Sequence, residues 1–160
     1  MFQVPSDNEK KAVWDAYYNK RPVRAPLRWN VNSRIILLNP ELNLKGYGYR
    51  EYFNEPAVTL EVQSCFQEYI AATLSRTCDM SSILPEYWNF SVENQNIYDA
   101  AYFGAEINFE DGQVPCTHQF LTMDDVDNFM SRDFSCPLEN DWIKNRLAFH
   151  GELVRKAGSF

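Results

Sequence analysis

No uninterrupted apolar run in this 160-residue chain exceeds four residues, and the most hydrophobic of them is Ile35-Ile36-Leu37-Leu38. That is far short of the ~20 residues a membrane-spanning helix needs. The core must therefore be assembled from short amphipathic elements, each burying one face. Apolar material is ample: 45% of residues are hydrophobic and 15% aromatic, enough to offset chain entropy and to argue against disorder. The length fits one segment, 1–160, of ordinary domain size. A formal charge of -7 makes nucleic acid and anionic membranes unexpected partners, because both are recognised by clustered Lys and Arg. The start, Met1-Phe2-Gln3-Val4-Pro5, has neither a basic region nor an apolar core. A cytoplasmic location follows as the expectation. Cys65, Cys78, Cys116 and Cys136 are widely spaced without a CxxC pair, and are expected to be reduced.

Periodicity supplies a series of elements. Ser6 and Glu9 have capping-box spacing, and Val13, Trp14, Tyr17 and Tyr18 continue as a helical face that Pro22 ends. Val23–Trp29, broken by Pro26, and Arg34–Leu38 are expected as strands, with Asn39-Pro40 as a turn. Gly46 to Tyr49 reads as loop. Asn54 and Pro56 open a helix running to about Leu74, with Val58, Val62, Cys65, Phe66, Tyr69, Ile70 and Thr73 on one side. Tyr87–Val92 is expected as a strand and Ile97–Phe103 as a short helix ended by Gly104. Ile107–Phe109 alternates like a strand before the turn Glu110-Asp111-Gly112. Helices are expected from Thr122 and over about Leu138–Lys156. The mixed order points to an α/β or α+β fold.

Three groups of residues could carry chemistry. The segment Trp88 to Asp99 places Glu93, Gln95, Asn96 and Tyr98 between a predicted strand and a helix, where α/β folds gather ligand groups. Glu93 suits an acid, base or charge partner; for Asn96 a helix-capping role is favoured over ligand binding. Arg28 and Arg34 flank Asn30 and Asn32, and an arginine fork suits a carboxylate, although pairing with a surface acid is the commoner use. Cys116, His118 and Cys136 are too irregularly spaced for an ordinary zinc site, so no metal is expected. Tyr47, Tyr49, Tyr52 and Phe53 are expected to cover core under a loop rather than a ligand.

Several ordered blocks resemble the N-terminal part of uroporphyrinogen decarboxylase-like proteins, a superfamily that includes corrinoid-dependent methyltransferases. The blocks are Arg24-Ala25-Pro26, Asn30 to Arg34, Leu38 to Asn43 and Tyr49 to Pro56. Leu60 to Gln63, Gln95 to Gly104 and Asp111 to Pro115 follow in order. The resemblance implies the N-terminal portion of a (β/α)8 barrel with extra N-terminal helices. A closed barrel needs about 250 residues, so this chain is expected to be too short to close one. It further implies that Arg34 binds a substrate carboxylate and that Glu93 is the acid–base or N–H-binding group. Asn30, Asn32, Gln95, Asn96 and Tyr98 would shape the pocket. The implied activities are tetrapyrrole decarboxylation or corrinoid-linked methyl transfer, with a corrinoid as cofactor in the second case only. Glu93 stands where related sequences carry an aspartate, one methylene shorter. The rival expectation is a non-catalytic remnant or association module, whose exposed sheet pairs with itself, with a partner chain or with a missing C-terminal barrel portion.

Overall fold

A computed structural model describes residues 4–94 and 97–158. It is largely helical, with 51% of the described residues in helices. Among the described residues the sheet is a single antiparallel pair. The expectation of a partial parallel barrel is therefore corrected. Arg34–Leu38, expected as a strand, is the short helix α2. Four adjacent apolar residues carry no period that separates strand from helix, and here Ile36 alone is buried. Val23–Trp29 and Tyr87–Val92 are irregular. Pro26 removes a ladder donor from the middle of the first of these.

The chain forms two compact units, residues 1–44 with 61–90, and residues 45–60 with 91–160. In the first, α1 (Asp7–Tyr18) starts at the capping box that the sequence predicts. Glu9 N donates to Ser6 Oγ, and Ser6 N donates to Glu9 Oε2. Helix α4 (Pro56–Ala72) contributes its residues from Glu61 onward to this unit, with Val62 and Phe66 buried. A 3-10 turn at Leu74–Thr77 follows. The loop after it is tied to α1 by polar bonds. Lys10 Nζ donates to Ser75 O at 2.6 Å and to Met80 O at 3.1 Å, and Trp14 Nε1 donates to Asp79 O at 2.8 Å. Asp79 is itself clamped: both its oxygens accept from Arg24, and Leu27 N donates to it.

The second unit begins with α3 (Tyr49–Asn54), whose Tyr49, Tyr52 and Phe53 are buried. Tyr49, Tyr52 and Phe53 thus pack into core from a helix rather than a loop, while Tyr47 precedes the helix and is half-buried. Thr59 Oγ1 donates to Tyr52 O at 2.6 Å, joining the first turn of α4 to α3. Helix α5 (Tyr98–Tyr102) leads to Gly104, whose φ of 101° lies where L side chains are strained. Strands β1 (Ile107–Asn108) and β2 (Cys116–Thr117) pair across a turn with Gly112 at φ 70°. Helix α6 (Val126–Met130) follows a 3-10 turn from Met123. Helix α7 (Asp141–Ala157) starts one turn later than the sequence suggests, because Asn140 caps it. Its Oδ1 accepts from Trp142 N and Ile143 N, and its Nδ2 donates to Tyr102 O. Phe149 and Leu153 are its buried residues. Among the described residues, no helix is long and apolar enough to cross a membrane.

Candidate functional site

The second unit contains a cavity of about 500 Å³. One wall is the face of α7 that carries Trp142, Arg146 and Phe149, at helical spacings of four and three. Ile97, at the start of α5, and Ile107 and Phe109, at the hairpin, supply apolar surface opposite. Phe53 closes one side and lies 6.1 Å from the Phe109 ring, edge to face. This is the usual composition of a small-molecule pocket: a mostly apolar lining with few polar groups.

Arg146 is the charged group that distinguishes it. Its Nη1 donates to Phe53 O at 2.8 Å, and its guanidinium carbon lies 4.8 Å from the centre of the Phe149 ring. Phe53 O lies in the last turn of α3, where carbonyls lack helical partners and a cation is favoured. Those two contacts fix the plane of the guanidinium. Its Nε–Nη2 edge carries no hydrogen bond among the described residues. Burial alone pulls the Arg146 pKa below its ordinary value. Glu152, the acid that lines the same cavity, gives both carboxylate oxygens to Arg155 at 2.7 Å. The Arg155 bonds hold the Glu152 carboxyl below its ordinary pKa. Arg146 is thus a half-buried cation with no ion-pair partner among the described residues. Asn94 adds a polar end: its Oδ1 is buried without a hydrogen bond among the described residues.

The residues singled out from sequence are distributed as follows. Asn30, Asn32 and Arg34 belong to the first unit, Glu93 and Tyr98 to the second. Asn32 Oδ1 accepts from Arg34 N at 3.1 Å and from Arg34 Nε at 2.9 Å, so this pair forms a local turn at the start of α2. Asn30 is exposed. Glu93 is half-buried and directly precedes Asn94. Tyr98 packs edge to face on Trp142, 5.0 Å between ring centres, and so supports the cavity wall. Gln95 and Asn96 lie outside the described residues. All four cysteines are free thiols. No group of three or more His, Cys, Asp or Glu among the described residues could hold a metal.

Of the residues singled out from sequence, Tyr98 packs on the wall of this cavity, and Arg146 is not among them. A signal was present: a cation four residues after Trp142 and three before Phe149, inside the stripe that α7 should bury. Comparison with family models, with curated proteins and with solved structures finds no match.

Proposed function

We propose that the second unit is a binding module for a small organic carboxylate with an apolar or aromatic body. The observation that supports this is Arg146, a half-buried guanidinium pinned on one side, open on the other and facing a cavity without a counter-ion among the described residues. A buried charge is costly when unpaired. A ligand carboxylate offsets that cost, and the planar fork of arginine can meet both of its oxygens. Ile97, Phe109 and Phe149 then take the ligand's apolar part. A cavity of about 500 Å³ suits one or two rings. The resemblance implies arginine-held carboxylates for the decarboxylases; in the present reading Arg146 holds a ligand carboxylate and no catalytic step is assigned.

The test is calorimetric titration with 3-phenylpropionate and its uncharged analogue 3-phenylpropanol. For about 11 non-hydrogen atoms the expected Kd for the carboxylate is about 0.2–1 mM, with the alcohol at least ~10-fold weaker. Equal affinity for the two, or binding of neither, refutes the reading. A second reading, self-association, is favoured by Met123, Met130 and Leu138, which are 85%, 73% and 69% exposed. A monomer by light scattering would exclude it.

A further inference from the structure

We propose that the first unit carries a separate site for a planar aromatic ring bearing a phosphate, a ligand of the mononucleotide class. The site is a groove of about 630 Å³ beside α1. Its aromatic wall is Trp14 and Tyr18, stacked with ring centres 5.7 Å apart and planes 24° apart. The bond from Trp14 Nε1 to Asp79 O fixes the indole, while Tyr18 is 71% exposed and presents its ring to an incoming base. Stacking on such a surface is tolerant of ring identity.

The same groove is lined by two cations suited to a phosphate. Lys10 is 3% exposed, and its ammonium holds Ser75 O and Met80 O, leaving its third proton without an acceptor among the described residues. Arg28 has no hydrogen bond or ion pair among the described residues. The acids in the lining, Asp7 and Asp79, both face the Lys10 charge and are also held by other donors, which leaves Arg28 as the cation open to a ligand. Asp7 accepts from Ser82 N and Ser82 Oγ, and Asp79 accepts from Arg24 and Leu27 N. The first unit is charge-balanced, with eight Lys and Arg against eight Asp and Glu, in a chain whose net charge is -7. The exposed Arg28 guanidinium, with Lys10 in the same lining, suits a phosphate monoester, which carries close to two charges. The single open edge of Arg146 instead matches a monoanion, so the two pockets differ in ligand class.

The experiment titrates the full chain with adenosine monophosphate and with adenosine, read by calorimetry and tryptophan fluorescence. Two variants at exposed side chains, Arg28→Ala and Tyr18→Ala, are compared after circular dichroism shows an unchanged fold. The nucleotide should bind saturably, and adenosine at least ~5-fold more weakly. Arg28→Ala should lower nucleotide affinity about 5- to 10-fold and leave adenosine unchanged, whereas Tyr18→Ala should weaken both. No saturable binding up to about 5 mM nucleotide, or an Arg28→Ala variant with wild-type affinity, overturns the proposal. A phosphorylated adenine hexanucleotide that binds much more tightly than the monomer overturns the mononucleotide assignment in favour of a strand end. Neither result bears on Arg146, so failure here is distinguishable from failure of the carboxylate reading.

Discussion

Arg146→Met separates the structural and binding roles of one side chain. Methionine keeps much of the apolar stem and removes the guanidinium. The structure gives three contributions to weigh. The bond from Nη1 to Phe53 O, 2.8 Å long, is a charge-assisted hydrogen bond worth about 1.5–3 kcal/mol. The stacking over Phe149 adds about 0.5–1 kcal/mol. Against these stands the desolvation of a half-buried cation without a counter-ion, which methionine avoids and which we take as about 1–2 kcal/mol. The net expectation is a modest loss of about 1–2 kcal/mol, read as a fall of about 2–8 °C in Tm. Binding should suffer more. Truncating one partner of a desolvated charge pair costs about 2–5 kcal/mol, so 3-phenylpropionate affinity should fall at least ~30-fold. Arg146→Lys should recover the charge but not the two-pronged geometry, and so regain only part of the affinity. The measurements are thermal melts and calorimetric titration of both variants. An Arg146→Met protein that binds the carboxylate within about threefold of wild type would refute the reasoning, whatever its stability.

Two further outcomes follow from the polar bonds. The hydrogen bond from Arg24, with that from Leu27 N–H, holds the Asp79 carboxyl below its ordinary pKa despite burial. Its folded pKa therefore lies below the unfolded value of about 3.9, so its stabilisation is complete above that pH and is lost as pH falls through the folded value. Asp79→Asn should lower stability at pH 7 and flatten the acid limb between about pH 4 and pH 2 in urea melts; an unchanged acid limb would contradict this. Asn140→Ala removes the cap of α7 and the bond to Tyr102 O, and should cost about 1–2 kcal/mol by urea unfolding, with Asn140→Asp recovering the cap but not that bond.

The legible parts of the fold were those governed by local rules. Ser6 and Glu9 are three residues apart and complete a reciprocal cap within one turn, so the start of α1 could be read directly. The long apolar stripe after Pro56 and the turn at Gly112 were readable for the same reason. Arg34–Leu38 was misread because five residues are too few to show a period, and strand or helix is then settled by neighbours remote in sequence. The barrel expectation came from the resemblance, and the helical content with a single two-stranded antiparallel sheet among the described residues overturns it. The cavity is poorly legible in sequence: the polar run before α5 points to Tyr98, which supports the cavity wall, but nothing in it points to Arg146. The decisive contact joins Arg146 to Phe53, 93 residues apart, and no local pattern encodes it. The apolar pattern places the start of the last helix at about Leu138, but that turn is 3-10 and Asn140 caps α7 after it.

The most direct test of the central claim is the side-chain amide spectrum of the arginines, with the Arg146 Nε–Hε resonance assigned by its absence in Arg146→Lys. If the open edge of Arg146 receives a carboxylate, that resonance moves downfield saturably with 3-phenylpropionate and stays in place with 3-phenylpropanol. A resonance that ignores saturating carboxylate, or that follows the alcohol equally, would show that Arg146 serves only to cap α3.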